Sequence, residues 1–194
     1  MPILNVMVDV HTAAPFIVFV KSSQRGYEAI KIPKKFDKMQ ANVNYDDLHA
    51  RIMSLCEGET DRVALMASVV CEVHHCDGRF DWTGFYRVVA PELMKVGPYQ
   101  GGHGCLVIPF GRGVCGAAAR LKQVQLVDDV EAFADHIACS STTRSELVLP
   151  VFDAAGEVIA VFDIDSDQPA AFNTRDVDGL SRILRDVFGT QVSS

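Results

Sequence analysis

The chain has 194 residues, of which 48% are hydrophobic, and carries a formal net charge of −7. That length suffices for one well-buried core and is short for two, and so apolar a composition excludes an acidic disordered segment. The acidic balance gives no electrostatic footprint for nucleic acid or for an anionic membrane.

Residues 1 to 40 read as an N-terminal extension and residues 41 to 194 as the main domain. Met1 to Val20 is fairly apolar, but it lacks a basic leader, carries Asp9 and His11, and is broken by Pro15. Neither a signal peptide nor a membrane span is expected from it. Phe16 to Val20 predicts a strand, and Lys31, Lys34, Lys35 and Lys38 read as a solvated face rather than a binding patch.

From Asp46 the pattern is helical. Leu48, Ile52 and Leu55 recur at helix spacing, then Val63, Met66, Val70 and Val73 mark a second amphipathic helix. Cys56, Cys71 and Cys76 fall in these segments, where a thiol usually serves as a small buried hydrophobe. Strands are predicted at Trp82 to Val89, Cys105 to Phe110, Val124 to Val127, Glu146 to Phe152 and Val158 to Asp165. A last helix begins near Asn173 or Thr174, with Val177, Leu180, Ile183, Leu184 and Val187 on one face. Strands joined by short turns, with helices before and after them, predict an α+β fold built on a mostly antiparallel sheet.

Residues 153–156 form a turn between two strands, so register follows by counting. With Phe152 opposite Glu157, Glu146 faces Asp163 and Arg144 faces Asp165, all on one side of the sheet. Facing carboxylates repel and hold a proton between them, so the arrangement requires a cation, an amine or a chemical purpose. Arg144 lying between the acids as a structural ion pair is the competing reading.

Three cysteines accompany these acids. Cys139 ends His136-Ile-Ala-Cys and leads through the polar run Ser140 to Thr143 into the acid-bearing hairpin, where His136 or Arg144 can favour its thiolate. Cys115 lies in Gly-Arg-Gly-Val-Cys-Gly at the start of a short predicted helix, a position that lowers a thiol's pKa, so it competes with Cys139 as nucleophile. The glycines around Cys115 suggest a phosphate loop only weakly, because no Lys-Ser or Lys-Thr follows. Cys105 follows the glycine-rich run Gln100 to Gly104, a mobile setting that suits a resolving thiol. His103, Cys105, Cys115, His136 and Cys139 are all usable zinc ligands, but no C-x-x-C occurs and no familiar paired spacing is present, so no metal is expected. The six cysteines do not punctuate short loops, which fits reduced thiols in a cytoplasmic protein.

Taken in order, Asp81-Trp-Thr-Gly-Phe-Tyr86, Gly97-Pro-Tyr-Gln-Gly101, Ile108 to Gly116, His136 to Cys139, Arg144-Ser-Glu146 and Asp163-Ile-Asp-Ser166 resemble the signatures of the free methionine-(R)-sulfoxide reductases, single GAF-domain enzymes. The resemblance covers roughly residues 45 to 190 and implies a GAF-like, six-stranded, mostly antiparallel sheet with flanking helices. It implies that Cys139 is the catalytic cysteine, Cys105 the resolving one and Cys115 an auxiliary in recycling. Glu146, Asp163 and Asp165 match substrate-binding acids, and Trp82 and Tyr86 an aromatic wall. The substrate implied is free methionine (R)-sulfoxide, reduced without a cofactor through a sulfenic acid and a Cys139–Cys105 disulfide that a thioredoxin-type dithiol resets. A non-enzymatic GAF sensor or redox switch is the alternative, since fold alone does not fix function. The sequence leaves oligomeric state open, a homodimer included.

Overall fold

The computed structural model describes residues 17–22, 26–31, 43–133 and 139–189. The chain parts into two units between Gln40 and Ala41. In the first, β1 (Ile17–Ser22) and β2 (Gly26–Lys31) pair antiparallel, Ile17 opposite Lys31 and Ser22 opposite Gly26. Phe16, where the predicted strand began, lies outside the described residues, as do Lys34, Lys35 and Lys38.

The second unit opens with α1 (Tyr45–Leu55) and α2 (Arg62–Cys76). The Asn44 side chain accepts from the backbone N–H groups of Asp46 and Asp47, and that of Asp61 from those of Val63 and Ala64. Each cap satisfies donors that the first helical turn leaves without partners. Leu48 and Ile52 of α1 and Met66, Val69, Val70 and Val73 of α2 are buried. Leu55, expected on the same stripe, is 59% exposed. Cys56, four residues beyond Ile52, takes the inward place that a 3.6-residue turn assigns it. The cysteines of the helical segments do not behave alike: Cys56 is buried, but Cys76 is half-buried and Cys71 exposed.

There follow β3 (Trp82–Ala90), β4 (Leu93–Gln100), β5 (Val107–Pro109), α3 (Gly113–Leu121), β6 (Gln125–Val127), a 3-10 turn at Val130–Ala132, β7 (Ser145–Phe152), β8 (Val158–Ser166) and α4 (Thr174–Phe188). The six strands order as β5-β4-β3-β8-β7-β6, each pair antiparallel. This is the α+β architecture expected. Strand β4 escapes the periodicity of the sequence because Gly97 and Pro98 interrupt it. Gly84 pairs with Tyr99 and Tyr86 with Val96, so Gly97 and Pro98 together oppose Phe85. Such a bulge holds a proline that has no donor for the ladder.

The sheet is covered on both sides. Phe85, Leu147, Leu149, Val151, Phe162 and Ile164 face α1, α2 and α4. Tyr86, Val148 and Val161 face Val114, Ala118 and Ala119 of α3. Burying each large apolar side chain contributes roughly 1.5–3 kcal/mol, so β7 and β8, apolar on both faces, form the centre of the domain as a covered hairpin should.

Helix α4 starts with a capping box between Asn173 and Asp176, and Leu180, Ile183, Leu184 and Val187 are buried, as their spacing predicts. Beside that start lies a buried ionic cluster. Arg79 Nη2 is 3.0 Å from Asp77 and 3.1 Å from Asp176, and its Nη1 donates to the Ala171 carbonyl at 2.6 Å. The Tyr45 hydroxyl donates to Asp176 at 2.7 Å. These bonds tie α1, α4 and the segment between α2 and β3 together.

Candidate functional site

The strand pair β7–β8 decides where the acids go, and its register differs from simple counting. Glu146 faces Asp165, and Asp163 faces Val148. Two one-residue shifts produce the difference. The turn closes early, with the Asp153 N–H donating to the Glu157 carbonyl at 3.0 Å and the Gly156 N–H to the Asp153 carbonyl at 2.9 Å. Gly156 adopts φ of 79° there, the left-handed position of a three-residue hairpin loop. The register then slips again: Phe152 pairs with Val158 but Val151 with Ala160, leaving Ile159 as a bulge. Either shift alone would turn the acids to the other face; together they restore the parity. Glu146, Asp163 and Asp165 therefore share the α3 side, next to Trp82, which pairs with Asp165 on β3.

Arg144 does not join them. It precedes β7, is exposed, and its Nη1 donates to the carbonyls of Ser141 and Thr143 at 3.3 and 3.0 Å. The reading of Arg144 as the neutraliser of the acids fails. His136 lies outside the described residues.

Glu146 and Asp163 are buried and Asp165 half-buried, around a cavity of about 20 Å³. That is room for about one water. Burial, then the charge of Asp163, then that of Asp165, pushes the Glu146 carboxyl well above the usual carboxylate range. Burial raises Asp163 to about 7, with hydrogen bonds from Cys115 and Glu146 acting the other way. Asp165 is raised well above its ordinary value, first by burial and then by Asp163. Burial and mutual charge favour one proton retained between Glu146 and Asp163, a property of the pair rather than of either member.

Cys115, the third residue of α3, is buried at 4% exposure, and its thiol donates to Glu146 Oε1 at 3.8 Å. The start of the helix was expected to lower its pKa. Burial and the charges of Asp163 and Glu146 instead push it well above the usual thiol value, so Cys115 stays protonated and is no rival nucleophile here. Cys139 also borders the cavity and is joined to Cys105 by a disulfide, with α-carbons 5.2 Å apart.

Trp82 stacks between Tyr86 and Tyr99, with ring centroids 5.7 and 5.5 Å away. The loop carrying Cys105 rests on this stack. The Tyr86 hydroxyl bonds the Cys105 backbone, and a Cβ on Gly104 would stand 2.9 Å from Trp82 Cζ2, so only glycine permits the approach. With the disulfide in place, neither Trp82 nor Tyr86 lines the cavity. Thr143 and Ser140 do, though the sequence marked them only as a polar run. Tyr99 belongs to a recognised motif, yet nothing in its spacing announces a stacking role.

A family model described as "GAF domain" matches residues 59–187. The free methionine-R-sulfoxide reductase of Escherichia coli is 37% identical over 140 residues, which cover 72% of this chain and 84% of that protein. Among solved structures, free methionine-R-sulfoxide reductase from Neisseria meningitidis in complex with its substrate is 40% identical, with a TM-score of 0.70 over 74% of this chain and 85% of that one. The reduced form of the Staphylococcus aureus fRMsr is 33% identical, with a TM-score of 0.72 over 75% and 94% of the two chains.

Proposed function

We propose that this chain, which belongs to the GAF-domain family of the free methionine-R-sulfoxide reductases, reduces free methionine (R)-sulfoxide to methionine. The observation that carries the reading is the meeting, at one cavity, of a disulfide-bonded cysteine pair with three acids whose burial and mutual charge raise one another's pKa values.

The substrate's ammonium supplies a cation for Asp163 and Asp165. Glu146, whose carboxyl burial and the charge of Asp163 push well above the usual carboxylate range, donates a proton to the sulfoxide oxygen as sulfur is attacked. The Cys139 thiolate takes the oxygen, methionine leaves with its sulfur reduced, and Cys139 becomes a sulfenic acid. The Cys105 thiol condenses with that acid, releasing water and forming the Cys105–Cys139 bond. The Trp82 and Tyr86 rings receive the S-methyl group once the bond opens and the Cys105 loop lifts from them. A thioredoxin-type dithiol then restores both thiols, and Cys115 assists as an auxiliary. Four further cysteines persist as thiols, which suits a cytoplasmic setting.

Methionine release from pure R and S sulfoxides, with a thioredoxin system supplied, tests the activity: no product from the R form defeats the reading. In single turnover, Cys139→Ser gives no methionine, whereas Cys105→Ser gives about one per enzyme and then stalls. Equal loss in both variants overturns the roles of the two cysteines.

A further inference from the structure

The buried groups at the inner end of the cavity form a donor set that spacing in the sequence never exposed. One sulfur or oxygen each from Cys115, Glu146 and Asp163 lie within 4.8 Å of one another, and all three side chains are buried. Strand register in the sequence brought Glu146 and Asp163 to one face, but not Cys115, which comes from α3. Cys105 and Cys139, which the sequence also offered, are consumed in the disulfide.

A second observation points to a ligand. Asp163 is only 4% exposed, lines the cavity, and its Oδ1 is buried without a hydrogen-bond partner among the described residues. A buried carboxylate oxygen left bare is costly unless something positive comes to it. No basic side chain of the described residues is among the charges acting on Asp163.

We propose that Cys115, Glu146 and Asp163 form a binding site for one borderline divalent metal ion of the zinc class, which occupies the cavity and excludes the substrate. The geometry suits it. Zinc bonds of about 2.3 Å to sulfur and 2.0–2.2 Å to oxygen in a tetrahedron separate the donors by about 3.5 Å, and the Cys115 sulfur stands 3.8 Å from Glu146 Oε1. Two carboxylates and one thiolate favour zinc or cobalt over magnesium or calcium, which require oxygen alone. On binding, the thiol and any protonated carboxyl release their protons to water, and the ion takes the cavity of about 20 Å³, which otherwise has room for about one water. The ion uses neither Cys105 nor Cys139, so it binds the disulfide form as well as the reduced one. The exclusion of substrate rests on the reductase reading; the binding itself does not.

Cobalt(II) titration of the full chain in its disulfide form tests the site without substrate. The expected result is one equivalent bound with tetrahedral visible bands and a thiolate-to-cobalt charge-transfer band, all displaced by zinc. Cys115→Ser removes the charge-transfer band, and Asp163→Asn weakens binding about tenfold or more, each checked for native circular dichroism. Cys71→Ser and Cys76→Ser leave the spectrum unchanged. A charge-transfer band that survives Cys115→Ser, or that vanishes with Cys71→Ser or Cys76→Ser, overturns the proposal, as does the absence of any bound ion. Should Cys115→Ser lose its native circular dichroism, Glu146→Gln takes its place: unaltered affinity there also overturns it. Zinc at saturation is then expected to suppress single-turnover methionine formation in the reduced wild type. Full turnover with the ion bound defeats the exclusion.

Discussion

Two buried acid clusters lie in the same domain and are built on opposite rules. At Asp77 and Asp176 the fold supplies its own cation, Arg79, and closes the remaining bonds with the Ala171 carbonyl and the Tyr45 hydroxyl. At Asp163 and Asp165 no basic side chain of the described residues is among the charges acting on them, and an oxygen of Asp163 is left without a described hydrogen-bond partner. A compensated cluster is complete without a ligand and serves the architecture. An uncompensated one stores the electrostatic demand that a positively charged ligand answers, at some cost in stability.

Substitutions separate the two rules. Glu146→Gln is expected to lower kcat/KM by roughly 10²–10⁴-fold through loss of the proton donor, while the unfolding midpoint at pH 8 stays level or rises, because one member of a repelling set is gone. A fall in stability with kinetics unchanged would make this acid structural as well. Arg79→Ala does the reverse: it strands two buried carboxylates, with an expected loss of about 3–5 kcal/mol in denaturant unfolding, and the fraction that remains folded keeps its kcat/KM within a few-fold.

The pH dependence separates them further. Asp163 is raised in the folded state to about 7 from its ordinary 3.8, so between those values the native chain holds more protons than the unfolded one. Its contribution to stability is complete below about pH 4 and is lost as pH rises through 7, with a slope approaching about 1.4 kcal/mol per unit for one proton. Thermal unfolding from pH 4 to 8 should show that decline, and Asp163→Asn should flatten it; an unaltered slope in the variant would break the contrast. The smallest effect belongs to Arg144→Ala. Its guanidinium meets only nearby carbonyls at the surface, so stability should move by about 0.5 kcal/mol or less, with activity close to wild type. A large loss there would revive the ion-pair reading.

Much of this was legible from residue order, for reasons that differ by element. Helix α4 declared itself through Asn173 and an apolar stripe because caps and 3.6-residue spacing are local properties. Strand β4 hid behind Gly97 and Pro98, since a bulge exists only in relation to the strand beside it. The shared face of the three acids was foreseen, but the partner within the pair was not. Counting missed both the early closure at Asp153 and the bulge at Ile159, and the two errors cancelled in parity alone. Cys115 shows the limit most clearly. Its place in the first turn of α3 is local and readable, whereas the burial and the acids that reverse its acidity come from strands more than thirty residues away. The stacking partner Tyr99 and the cavity residue Thr143 likewise owe their places to the fold rather than to any pattern around them.

Trp82 is the only indole in the chain, and the loop that ends in Cys105 lies against its ring. The protein thus carries an optical label at its own redox centre. Opening of the Cys105–Cys139 bond in the proposed cycle is expected to change the polarity and quenching around that fluorophore, giving each half of the cycle its own emission. Stopped-flow fluorescence of the unmodified chain therefore resolves oxidation from recycling without a coupled enzyme or an added dye.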